Sequence, residues 1–227
     1  MKIRIEESDQ SIDYIVIDRE GVTDPVMSEM FYLEVNGVYR KSYTKDALMF
    51  AHDWRQVETN YNVFINKELH PENKTARDIQ RALQWTAEQL NQHGIRWWLT
   101  GSGALYARGL PVVPHDFDIM TSKDEINKIQ PLVQPYIAEP FHHVTDWVVK
   151  GFGVVDYGIR LDFAFEPEEW VDGRGPADFG PYAQAHLETI DWQGYSIQVP
   201  PVELHIAPNQ ARGRHDRVQL IYNYLNQ

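Results

Sequence analysis

Three aspartates carry the chemistry this sequence can do. Asp116 and Asp118 stand one residue apart in "HDFDIMT", and Asp162 follows in "RLDFAF". In an extended strand alternate side chains share a face, so Asp116 and Asp118 point one way while Phe117 and Ile119 point the other. The same alternation sets Arg160, Asp162 and Ala164 against Leu161, Phe163 and Phe165. Each strand therefore offers an apolar face for helices to cover and leaves an acidic face toward a cleft. Carboxylates held side by side repel one another until a cation neutralises them. Hard oxygen donors select Mg²⁺ or Mn²⁺ over zinc. An isolated Asp-Phe-Asp on a strand is more often a solvated edge than a site.

Upstream, "WWLTGSGALYARG" runs a short apolar strand into Gly101-Ser102-Gly103 and then a helix. At such a turn the backbone N–H groups of the helix start can face an anion. The glycines let a phosphate approach the backbone, and the Ser102 hydroxyl can donate to it. No Lys-Ser/Thr follows at the spacing of a Walker loop. Alone, Gly-Ser-Gly is a tight turn.

The combination is more specific. A strand, Gly101-Ser102, 13 intervening residues, Asp116-Phe117-Asp118-Ile119 and a later Leu161-Asp162-Phe163 strand together resemble the nucleotidyltransferase superfamily. This is the polymerase-β-like group that includes aminoglycoside and lincosamide nucleotidyltransferases. The run "IQVPPVELHIAPNQARGRHDRVQLIYNYL" is similar to the end of the small-substrate members, so the resemblance covers roughly 75–225. It implies an α+β fold, a mixed β-sheet flanked by helices. It also implies transfer of a nucleoside monophosphate from a nucleoside triphosphate to a hydroxyl of a small molecule or protein, releasing pyrophosphate. By the same resemblance Asp116, Asp118 and Asp162 hold two Mg²⁺ (or Mn²⁺) ions. Asp116 and Asp118 bridge both, Asp162 binds the one that activates the acceptor hydroxyl, and Gly101 and Ser102 hold the β- and γ-phosphates.

The sequence departs from that pattern in two places. Asn209-Gln210 stands where many relatives carry a lysine, leaving Arg212 or Arg214 to replace its charge; His115 stands where they have a small polar residue. His115 is read as a loop histidine, with contact to a substrate phosphate or the carboxylates as the alternative. Arg108 and Arg160 are read as ion-pair partners before phosphate contacts. His142 and His143, adjacent in a strand, point to opposite faces and do not share one metal ion. The opposing readings are a nucleotide-binding or interaction module that keeps the fold without turnover, and a purely structural α/β protein.

The elements that position these residues follow from local pattern. "TARDIQRALQWTAEQLNQHG" is a helix with Ile79, Leu83 and Leu90 on one stripe and Gly94 at its end. Arg96 to Thr100 and "HDFDIMT" are strands, and Ser122 with Glu125 is expected to box the next helix, which Pro131 shortens. "WVVKGFGVVDYGIRLDFAF" gives two or three strands and "GYSIQVP" another. The Pro/Gly-rich 167–181 is loop, bearing Trp170, Phe179 and Tyr182 as a cover for an aromatic or sugar-like substrate or as a packed connection. "HDRVQLIYNYL" closes the chain as a helix. Residues 1–70 are expected to form a small N-terminal α+β extension, with 71–227 as the nucleotidyltransferase-like domain. In the extension Asn36-Gly37 turns a hairpin, and "KDALMFAHDWRQVE" reads as a helix over 45–58.

Composition bounds the rest. The chain has 227 residues, 43% hydrophobic and 24% charged, enough for a sizeable core. Twenty-one basic against 33 acidic residues give a net charge of −12, which disfavours nucleic acid as partner and favours small molecules or proteins. No cysteine is present, which excludes disulfides and thiolate chemistry and fits a reducing cytoplasm. No apolar run approaches a membrane span of about 20 residues.

Overall fold

The computed structural model describes residues 1–226. The chain opens with β1 (Lys2–Glu7), β2 (Ser11–Asp18), a short α1 (Asp24–Glu29), β3 (Leu33–Val35) and β4 (Val38–Thr44), which form an antiparallel sheet in the order β1-β2-β4-β3. Asn36 and Gly37 both have positive φ, 53° and 79°, the requirement of a two-residue hairpin turn. Helices α2 (Trp54–Leu69) and α3 (Ala76–Gln92) lead to β5 (Trp97–Thr100), α4 (Gly101–Ala107), β6 (Asp116–Thr121) and α5 (Ile126–Val133). Strands β7 (Ile137–His143), β8 (Val149–Asp156) and β9 (Arg160–Pro167) complete a second sheet. After α6 (Pro181–Ala185) come the hairpin β10 (Glu188–Trp192) and β11 (Tyr195–Val199), then α7 (Ile206–Ala211) and α8 (His215–Leu225).

The second sheet is mixed, with order β5-β6-β9-β8-β7. Only β6 and β9 run parallel in it. Its apolar face is sealed: Phe117, Ile119, Leu161, Phe163 and Phe165 have no exposed surface. Burying each such phenylalanine is worth about 2–3 kcal/mol. They share one core with α3 through Leu83, Ala87 and Leu90, and with the N-terminal sheet through Ile3, Ile12 and Tyr14. The expected α+β architecture with a mixed, helix-flanked sheet is therefore present.

Two local expectations fail for physical reasons. The helix expected over 45–58 is a single tight turn at Lys45–Ala47, after which the chain hugs the free edge of β7. There the Met49 N–H donates to the Phe141 carbonyl (2.9 Å) and the Phe141 N–H donates to His52 Nε2 (3.1 Å). Helix α2 starts only at Trp54, where the Asp53 carboxylate accepts from the Arg55 and Gln56 amides. Ser122 accepts from the Asp124 amide, but Glu125 does not reach back to complete a box. Its buried carboxylate is taken by Arg96 (2.8 Å) and Lys128 (2.7 Å).

Candidate active site

One row of register partners crosses the whole second sheet: Thr100, Asp118, Asp162, Val154 and Glu139. Partners directly opposite one another present their side chains to the same face. A second row holds Asp116, Arg160 and Asp156. A third, Trp98, Met120, Ala164, Phe152 and His142, forms an apolar floor beside the acids. Adjacent strands lie about 4.8 Å apart, so Asp118 and Asp162, 44 positions apart in sequence, meet side by side. All three aspartates singled out in the sequence reach one face.

The glycine turn abuts them. Gly101 opens α4 with φ +61°, and a Cβ built on it would stand 2.4 Å from Asp118 Oδ2. Glycine is thus required twice, for the backbone angle and for the approach. Gly103 lets α4 pack on β6, since a Cβ there would meet the Phe117 ring at 2.6 Å. Ser102 follows Gly101, half-buried.

Electrostatics reflect the crowding. Burial, and then the charges of Asp116, Asp162 and Asp178, push the Asp118 carboxyl well above its usual range. Burial also raises Asp162 to about 6, although Arg160 opposes it. Arg160 Nε donates to Asp162 Oδ1 at 2.6 Å, so one oxygen of the third carboxylate is already engaged. Among the described residues no three acidic or histidine side chains stand gathered as a metal cage. The donor set nonetheless suits a hard divalent cation: it is all oxygen, and burial reinforced by the neighbouring acids disfavours its charged form.

Several residues here were invisible in the sequence. Asp178, inside the Pro/Gly-rich segment, is buried against the turn. Its Oδ2 accepts from the Gly101 N–H (3.0 Å) and the Thr100 hydroxyl (2.9 Å). His205, with no exposed surface, lies 2.8 Å away at ion-pair distance. Burial pushes the Asp178 carboxyl up, but His205, Thr100 and Gly101 outweigh it and hold it below the ordinary range. An anion at the first amide of the turn is therefore supplied by the chain itself. Phe179 packs onto the apolar floor with Trp98, Met120 and Ala164, while Trp170 stays exposed. No signal short of three-dimensional pairing marks Asp178 among its loop neighbours.

The remaining candidates sort plainly. Arg108 pairs with Glu188 and donates to the Pro200 carbonyl at 2.8 Å, tying the end of α4 to the open end of the β10–β11 hairpin. His142 Nδ1 lies against the Pro140 carbonyl and its ring packs edge-on to Tyr43. Exposed His115 contributes its carbonyl to Lys74 Nζ at 3.1 Å. Asn209 is buried and its side-chain amide donates to the His205 carbonyl at 2.7 Å, a bond internal to the start of α7. Around the turn into α8, Arg212, Arg214 and Arg217 crowd together. Burial and its two neighbours hold the Arg217 guanidinium below its usual range, and Asp116 partly offsets them. A cavity of about 440 Å³ lies elsewhere, against Arg96, Trp97 and Gln198, and is lined by none of the carboxylates.

No family model matches the sequence, and no curated protein matches it. Solved structures do. A Thermotoga maritima protein provisionally assigned as a nucleotidyltransferase superposes with TM-score 0.51 at 19% identity, covering 67% of this chain and 95% of its own. The solution structure of the antibiotic-resistance factor ANT(2″)-Ia superposes at 0.43 with 15% identity, covering 64% and 85%. The crystal structure of ANT(2″)-Ia with adenylyl-2″-tobramycin does so at 0.41 with 15% identity, covering 66% and 90%. The last two are too loose to bear on the site. The fold of this chain is nucleotidyltransferase-like.

Proposed function

We propose that the chain is a divalent-cation-dependent nucleotidyltransferase acting on a hydroxyl of a small molecule or protein. The observation that carries this is the pairing of Asp118 with Asp162 on parallel strands, with Gly101 pressed against the Asp118 carboxylate. Asp116, Asp118 and Asp162 would hold two Mg²⁺ or Mn²⁺ ions. Bound there, the ions would neutralise the phosphate charge and polarise the reacting oxygens. An acceptor oxygen would form a bond to the α-phosphorus as the bond to the bridging α–β oxygen breaks and pyrophosphate leaves. Asp162, poised near 6, suits a group that takes the hydroxyl proton at neutral pH. Ser102, at the glycine turn, would contact the β- and γ-phosphates, with Arg212, Arg214 and Arg217 supplying positive charge in place of the missing lysine. Gly101 would contribute its close approach, since its N–H is already bonded to Asp178. No helix among the described residues is long and apolar enough to cross a membrane; a cytoplasmic location belongs to the proposal through the lack of cysteine.

A second reading, a nucleotide-binding module without turnover, has its own support: Asp178 occupies the Gly101 amide and Arg160 one oxygen of Asp162. Calorimetry with ATP, CTP, GTP and UTP plus Mg²⁺, followed by pyrophosphate release over a panel of hydroxyl acceptors, separates the two. Binding with turnover that Asp118→Asn abolishes supports the transferase. Binding without turnover across the panel favours the module, and no binding of any nucleotide removes both.

A further inference from the structure

The row that carries Asp118 and Asp162 does not end at the aspartates. Two strands further on it reaches Glu139 of β7, buried like Asp162. Both Glu139 oxygens are held by the N-terminal sheet. Lys41 Nζ of β4 donates to Oε1 at 2.7 Å and the Tyr43 hydroxyl donates to Oε2 at 3.0 Å. Nearby, Tyr14 of β2 donates to the Ala138 carbonyl at 3.1 Å. Lys67 of α2 reaches Asp156, the register partner of Arg160, at 2.6 Å. Lys74, paired with Glu68 of α2, donates to the carbonyl immediately before Asp116. The N-terminal extension thus reaches two carboxylates of the sheet, Glu139 through Lys41 and Tyr43 and Asp156 through Lys67.

Arg160 lies between two anions. It is bonded to Asp162 and also feels the charge of Glu139. Two strand spacings, about 10 Å of backbone, separate Glu139 from Asp162, a gap that a long guanidinium side chain can partly span from the adjoining row. With Lys41 in place Glu139 is neutralised. Without it, a buried anion would be left uncompensated, and such a charge is costly enough to recruit the nearest cation.

We propose that Lys41 is a positioning residue: by neutralising Glu139 it leaves Arg160 on Asp162, so the N-terminal sheet is part of the active-site support. The role given to Asp162 rests on the transferase reading above; the placement of Arg160 does not.

The test uses the full chain as wild type, Lys41→Met, Lys41→Arg and the double variant Lys41→Met/Glu139→Gln. Side-chain ¹⁵Nε–¹Hε NMR follows Arg160 in the nucleotide-free protein. The Arg160 signal is expected to move in Lys41→Met and to return to its wild-type position in Lys41→Arg and in the double variant. Turnover should fall by about tenfold or more in Lys41→Met, with nucleotide KM within about twofold, and recover in the double variant. Loss of a merely structural contact would not be reversed by deleting its partner's charge. An Arg160 signal unmoved in Lys41→Met overturns the proposal. Should Lys41→Met not fold, a displaced Arg160 signal in the double variant overturns it equally. A wild type that releases no pyrophosphate, while Arg160 still follows Lys41, removes the transferase reading and leaves the positioning intact.

Discussion

Replacing Gly101 with alanine tests the site where geometry sets the magnitude. The new Cβ would lie 2.4 Å from Asp118 Oδ2, against an ordinary contact of about 3.5 Å or more. The carboxylate must therefore retreat by roughly 1 Å, and misplacement on that scale costs up to about 100-fold in rate. The backbone adds its own cost, since alanine at φ +61° gives up about 1–2 kcal/mol. For a chain of this length that lowers Tm by about 2–8 °C. Gly109→Ala provides the control, because Gly109 has φ +85° and nothing within 4 Å of its built Cβ. Both variants should lose the backbone share of stability in thermal melts, Gly101→Ala more because of the clash, and only Gly101→Ala should lose turnover in a pyrophosphate-release assay and bind the Mg²⁺–nucleotide more weakly by calorimetry. Equal activity of the two would refute a catalytic role for the contact.

Three further outcomes are expected. Asp162 sits at about 6 against an ordinary 3.8, so its stabilising contribution is full below about pH 4 and is lost as pH rises through 6. The size is about 3 kcal/mol, or about 6–12 °C in Tm. Metal-free protein should show this fall and Mg²⁺ should reverse it above pH 6, whereas a flat profile would show that Asp162 is not buried as a raised carboxyl. Asp178 and Glu139, both held low, contribute stability that is lost as pH falls below their unfolded values, the opposite sense to the loss at Asp162. His205→Ala removes the neighbour that does most to hold the buried Asp178 carboxylate, leaving the Thr100 and Gly101 donors, and should cost about 1–3 kcal/mol, read as a fall in Tm; a drop under 2 °C would show that the pair does not hold the turn. Arg217→Ala should weaken nucleotide binding about tenfold while leaving Tm unchanged or raised, because it relieves like-charge crowding; unchanged affinity places the triphosphate elsewhere.

What the sequence made legible was whatever local period or turn chemistry dictates. Strand alternation placed Asp116 and Asp118 on one face and Phe117 and Ile119 on the other, and Asn36-Gly37 announced its hairpin. Where tertiary pairing outranked local preference, local pattern misled. The stretch before Trp54 has helical composition but spends its backbone groups on the edge of β7. Glu125 sits where a capping box wants it but is drawn to Arg96 and Lys128. Strand β10 went unseen although Ile190 and Trp192 alternate with Thr189 and Asp191, because five residues are too short a run to stand out without the partner strand. Asp178, His205 and Glu139 owe their places to contacts spanning tens of residues, which no window along the chain can display.

The parallel pair of β6 and β9 has a consequence for biosynthesis. Parallel neighbours need a long crossover, and here it contains α5, β7 and β8. A nascent chain that has emerged only as far as β8 holds two of its three acids and lacks the strand that brings in the third. Contacts so distant along the chain form late and slowly. The face that carries all three acids is therefore completed only when β9 pairs beside β6.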